Sequence, residues 1–218
     1  MTKHLRVRYS HPLEREYEGW IVAGIERYLT TIGLPYAIWA INPNQEKVWP
    51  ADEKLLVSAK VVGLQFKQAK IASGPLGADR LHWSLHQPAS QFGLVKDNHE
   101  IFYCLPTFID REFRDEAVHH CLFWRPDGSL PDNKNAWYDN PAADTPYKKI
   151  STAMRWGLFF EQLLLCTVGI KTASTGEIQD IAHRICSHVQ LEALLADRRS
   201  DSSGPDGGLY MLAISLES

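Results

Sequence analysis

The chain has 218 residues, of which 44% are hydrophobic and 22% charged, an ordinary composition for a domain that buries its own core. A net charge of -3 excludes a uniformly basic coat for nucleic acid, though not a local basic groove, because binding follows the field near a site. The four cysteines Cys104, Cys121, Cys166 and Cys186 contain no CxxC pair, which argues against a zinc ribbon and against a dense disulfide scaffold.

The first predicted element is a helix over Glu14 to Ile32, with Ile21, Ile25, Leu29 and Ile32 at helical spacing. Gly33 and Pro35 stop it. Tyr36 to Ile41 reads as a short strand, ended by Asn42-Pro43-Asn44. Glu46 to Val57 reads as an irregular strand interrupted at Pro50. Val61 to Ala69 alternates most clearly: Val62, Leu64 and Phe66 on one face, Gly63, Gln65 and Lys67 on the other. Ile71 to Ala78 is small-residue loop. His99 to Pro106 and Val118 to Trp124 are strand candidates, and Asp127 to Tyr147, rich in Pro, Asn, Asp and Gly, reads as a long loop. Helices are expected over Ser151 to Cys166 and Glu177 to Ala196, the second with Ser174 and Glu177 as a capping box. Leu209 to Leu216 closes the chain as a strand. The order implies one α/β or α+β domain over residues 1–218, with a mixed sheet and a helical C-terminal part near 150–197. No run reaches the ~18 apolar residues of a membrane span, and the N-terminus has no signal core. A cytoplasmic protein is expected.

Chemistry concentrates around the 61–69 strand. Gln65 and Lys67 share a face, and Asp52 lies upstream after Trp49-Pro50-Ala51. A hairpin of Leu55–Val57 with Val61 onward, turning at Ser58-Ala59-Lys60, would return Asp52 to the far end of that strand. A carboxylate and an amide oxygen there can hold a hard divalent cation such as Mg2+ or Mn2+. The cation neutralises a scissile phosphate and activates water, and a fixed ammonium stabilises developing charge. Lys47, Lys54, Lys60, Lys67 and Lys70, with Gln68, give the region a positive surround suited to phosphate.

This order, helix, Asp, then Gln-Phe-Lys on a strand, resembles the PD-(D/E)XK nuclease superfamily, in its branch with Q-x-K as in Mrr-like restriction endonucleases. The resemblance runs from about Glu14 to Lys70. It implies a restriction-endonuclease-like mixed sheet flanked by helices, with Asp52 and Gln65 binding metal and Lys67 as the catalytic lysine. It also implies a further carboxylate, for which Glu18 on the first helix, with Glu14 one turn earlier ranked behind it, and Glu46, six residues before Asp52, are the candidates. DNA is the favoured substrate over RNA, in restriction or anti-phage defence, with a homodimer or a larger effector protein as further partners. Gln65 stands where the family has an acid. The alternative is therefore a catalytically inactive nuclease-fold subunit that binds nucleic acid or a partner protein.

Each residue also has a plainer reading. Asp52 suits a turn, Lys67 suits a solvated sheet face, and Glu18 suits a helix N-terminus. His119 and His120 on a strand would point to opposite faces and not share an ion. His82 and His86 share a helix face without an acid to complete a zinc site.

Overall fold

The computed structural model describes residues 11–41, 59–73, 79–85, 91–126, 137–139, 152–174, 176–185 and 209–215. Helix α1 spans Glu14–Thr31. Tyr17, Ile21, Ile25 and Leu29 form its fully buried stripe, as helical periodicity requires. Glu16 turns back to accept from the Leu13 N–H at 2.8 Å, satisfying one of the donors a helix start leaves open. The helix ends one residue early. Ile32 lies in the following turn, 45% exposed, and Gly33 takes the left-handed conformation, φ +71°.

Strand β1, Tyr36–Ile41, falls on its predicted bounds. Strand β2, Ala59–Phe66, starts two residues before its prediction, so Ala59 and Lys60 are strand and not turn. The segment expected as a small-residue loop begins with strand β3, Lys70–Ser73, which pairs with β4, Asp79–Trp83. A short helix α2, Gln91–Asp97, leads into β5, Ile101–Pro106. A 3-10 helix, Arg111–Glu116, and a turn follow, then β6, Cys121–Trp124. His119 and His120 lie in that turn, not on the strand. Inside the predicted long loop, Trp137–Asp139 forms β7 against β4. Next come β8, Met154–Arg155, helix α3, Trp156–Leu164, and β9, Ile170–Thr172. Helix α4 covers 176–185. Half of its expected capping box is present, the Glu177 N–H donating to Ser174 Oγ at 3.3 Å, while Glu177 Oε2 accepts at 2.7 Å from the N–H of Ala173, one residue before Ser174. Strand β10 is Leu209–Ser215.

The larger sheet has the order β1-β10-β2-β5-β6-β8, with β9 also on β2. β10, the last strand in sequence, lies between β1 and β2, antiparallel to both. β1 and β2 therefore run in the same direction, and β5 is parallel to β2. The sheet is mixed and carries helices, an α/β architecture. The smaller sheet has the order β3-β4-β7.

Residues opposite one another on paired strands share a face, so the registers sort the core. Leu64, Tyr210 and Phe102 lie on one face, with Phe66 and Phe123. Helix α3 packs there: Phe159 stacks on Phe123 at 4.5 Å and meets Phe102 edge-on at 5.1 Å. Tyr28 of α1 contacts Trp156 and Phe160 of α3, which ties α1 to the same face. Gln65, Leu209 and Tyr103 share the other face. It is covered by the end of β4 and the residues just after it, where the Trp83 indole donates to Pro106 O at 2.9 Å and the Tyr103 hydroxyl to the Leu85 carbonyl at 2.9 Å.

Among the described residues no helix is long and apolar enough to cross a membrane.

Candidate active site

Strand alternation dictates where Gln65 and Lys67 go, because Leu64 and Phe66 are taken by the helical face of the sheet. The two polar residues therefore share the opposite face. Lys67 keeps the extended course for one more step, its N–H donating to Cys104 O of β5 at 3.1 Å. Both are buried, Gln65 at 1% and Lys67 at 2% exposure. The expectation of a solvated lysine on an open sheet face does not fit that burial. The Gln65 amide nitrogen donates to the Phe66 carbonyl at 3.3 Å.

One end of the sheet gathers the polar groups. Ile41, Leu209 and Gln65 are in register across β1, β10 and β2. The chain that runs on from Ile41 therefore departs at the Gln65 end. Asp52 and Glu46, expected in the metal shell, belong to that stretch and lie outside the described residues.

The hairpin expected to carry Asp52 back is not available to β2. One edge of β2 is paired with β10 along Ala59–Gln65, and the other with β9 at Ala59–Val61 and with β5 at Gly63–Phe66. No edge is left for Leu55–Val57 to join. The reason is non-local: a strand from the other end of the sequence occupies the place the nearest segment was expected to fill.

Glu18 comes from α1 and is 7% exposed, so it is not a surface carboxylate answering the helix dipole alone. It stands on the helical side of the sheet, acting on the phenol of Tyr210, whose ring meets Phe66 edge-on at 5.4 Å. Gln65 faces away from it, so the two can meet only past the strand end, where Lys67 and Gln68 lie. Helix α1 reaches that point. Glu14 Oε2 accepts from the Gln68 N–H at 3.1 Å, and the Gln68 side chain donates to Pro12 O at 2.7 Å. Gln68 was expected beside the site with the lysines, whereas Tyr210 was not among the sequence candidates. Tyr210 is the second residue of β10, a short aromatic-aliphatic run whose place between β1 and β2 no local pattern announces.

The positive surround is smaller than the sequence suggests. Lys60 lies at the far end of β2, and its ammonium donates to Val168 O and Gly169 O at 3.1 and 3.2 Å. Lys70 stands opposite His82 across β3 and β4. Burial, with the Lys70 charge behind it, lowers the His82 pKa, and His82 lies on strand β4 and not on a helix. Lys47 and Lys54 lie outside the described residues.

Mg2+ takes oxygen ligands, commonly one or two carboxylates completed by water. The Glu18 carboxylate and the Gln65 amide oxygen are right in type. Among the described residues no group of three or more His, Cys, Asp or Glu that could hold a metal stands together; Asp52 and Glu46 lie outside those residues. Comparison of the chain with protein families, with curated proteins and with solved structures gives no match.

Proposed function

We propose that the protein is a divalent-metal-dependent nuclease of restriction-endonuclease-like type, acting on DNA phosphodiesters, with its site at the C-terminal end of β2. The observation that carries this reading is the pair Gln65 and Lys67, side by side on one face at the sheet end where β1 also finishes. Asp52 and Gln65, with Glu18 or Glu46, would hold the cation. Mg2+ or Mn2+, when bound, supplies charge for the phosphate and a water of lowered pKa. Lys67 has the chain's own chemical task. Held in a site with little water, its ammonium stabilises negative charge on the phosphate oxygens as phosphorus is attacked, and it orients the attacking water. Gln65 fixes donor geometry without adding charge, which leaves the carboxylates to balance the cation. Restriction or anti-phage defence is the setting that the Q-x-K resemblance suggests.

The test is cleavage of supercoiled plasmid and of a matched single-stranded RNA with Mg2+ or Mn2+, using wild type, Lys67→Ala and Asp52→Ala. The expected result is plasmid nicking by wild type that falls at least about 100-fold in both variants, in line with loss of a positioned electrostatic group. Equal activity in the three proteins sinks the reading. A second reading is a nuclease-fold subunit without cleavage, binding nucleic acid or a partner protein. The near-complete burial of Gln65 and Lys67 favours it, because a phosphate must come within about 3 Å of the ammonium to benefit. Metal-independent DNA binding without nicking would select it.

A further inference from the structure

The end of β4 covers the Gln65 face of the larger sheet, which leaves the small sheet β3-β4-β7 with an outer face of its own. Register sorts its two faces. Ile71 stands opposite Leu81, with Ser73 opposite Asp79 and Asp139 opposite Leu81. That face looks inward: Trp83 is completely buried, its indole on Pro106 O, and Leu81 packs against the core. The outer face has Lys70 opposite His82, Ala72 opposite Arg80, and Tyr138 opposite His82. Lys70 and His82 are partly exposed. Two permanent cations therefore take register positions on the outer face, and the acids Asp79 and Asp139 take theirs on the inner one. This row departs from a chain whose net charge is -3. It also continues from the candidate site: Lys70 follows Lys67 by three residues, which keeps their Cα atoms within about 11 Å.

We propose that the outer face of β3-β4-β7 is a phosphate-contact surface, Lys70 and Arg80 each holding a backbone phosphate of duplex DNA that continues past Lys67. Duplex DNA carries one negative charge per about 1.7 Å of axis, so a duplex placed at Lys67 has further phosphates near Lys70. The proposal rests on the nuclease reading for its choice of polymer. Contacts of this kind fix the position of the duplex and read no bases. Each one releases condensed counterions, so loss of a contact lowers the dependence of binding on salt.

The experiment is fluorescence anisotropy of a labelled random-sequence DNA duplex with the full chain, in EDTA, from about 50 to about 200 mM salt. It uses wild type, Lys70→Gln, Arg80→Gln, the double variant, and Lys171→Gln, which removes an exposed charge from β9 at the other end of β2. The slope of log affinity against log salt should fall by about 1 in each single variant and by about 2 in the double. Binding at the lowest salt should weaken about 10-fold per contact, and Lys171→Gln should match wild type. An unchanged slope in Lys70→Gln and Arg80→Gln, or an equal fall in Lys171→Gln, would overturn the surface and leave the nuclease reading to its plasmid assay. The expected falls without any plasmid nicking by wild type would support the surface and count against cleavage alone. A fall seen with single-stranded RNA and not with the DNA duplex would overturn the choice of DNA, and no DNA binding by wild type would overturn the surface outright. Should a glutamine variant melt lower than wild type, acetylation of wild-type lysines with and without the duplex gives a second reading. Lys70 should be protected and Lys171 not; equal labelling of Lys70 in both samples would overturn the proposal.

Discussion

At the scale of single residues, backbone geometry makes the firmest demands. Gly169 has φ +70°, a region in which a side chain costs about 1–2 kcal/mol. A Cβ added there would also lie 2.7 Å from the Val61 carbonyl oxygen and 3.1 Å from Leu163. That carbonyl belongs to β2 and has no freedom to retreat, since both edges of the strand are paired. Gly169 also presents its own carbonyl to Lys60, so one turn holds both the strand and a buried ammonium. Gly169→Ala should destabilise by about 2–4 kcal/mol, strain and overpacking together. Gly19 in α1 is the contrast: nothing lies within 4 Å of its added Cβ, and Ala is the better helix former by about 0.8–1 kcal/mol. Urea denaturation of the two variants should move the midpoint in opposite directions. A Gly169→Ala midpoint equal to wild type would show that the turn after α3 does not hold β2 as described.

Elements are joined here by polar contacts as well as by the core, and one of these has a pH signature. Arg111, from the 3-10 helix, donates two hydrogen bonds to Glu16 of α1, at 3.0 and 2.7 Å. The Arg111 bond is the largest cause holding the Glu16 carboxyl below its ordinary value of 4.5, with the Leu13 N–H second. A depressed carboxylate pKa stabilises the fold above the unfolded value, and that gain is lost as pH falls through the folded value. Both side chains are partly open to water, so solvent and salt screen the pair and its contribution is small. The melting-temperature gap between wild type and Glu16→Gln should be present at pH 7, close below pH 4, and shrink in 1 M salt. A gap that widened in acid would contradict the sign. The same elements show what the sequence could tell. Helix α1, β1 and the α4 cap were legible because their signals are local: Ile21, Ile25 and Leu29 recur within a few turns, Pro35 and Gly33 sit at the stop, and Ser174 meets Glu177 three residues on. The strand that carries Gln65 was legible for the same reason, since alternation is local. β3 and β7 were missed because small and polar residues masked strands that exist only through pairing with β4. The Asp52 hairpin was drawn with the nearest segment in sequence, and β10 holds that edge.

Whole-molecule stability follows from where β10 sits. Its seven residues, Leu209–Ser215, bridge β1 and β2 along their full paired lengths, and Met211, Leu212, Ala213 and Ile214 are completely buried. Ridding the sheet of this strand would leave two facing edges unpaired, and each burial-ready edge is a template for association. The pairing also joins residues near 60 to residues near 212, and closing so long a loop before any contact rewards it slows folding. The sheet therefore cannot be completed until the end of the chain has arrived, whatever α1 and β1 have already formed. A chain stopped after residue 208 should lose its cooperative thermal transition and aggregate, whereas one stopped after residue 215 should melt within a few degrees of the full protein. A peptide covering 205–218, added during refolding of the shorter chain, should restore part of the transition by taking the vacant place between β1 and β2. If the chain ending at 208 melted like the full protein, β10 would not hold the place between β1 and β2. Gln65 would then have an open edge beside it, and the nearest-neighbour hairpin with Asp52 would return as the arrangement of the site.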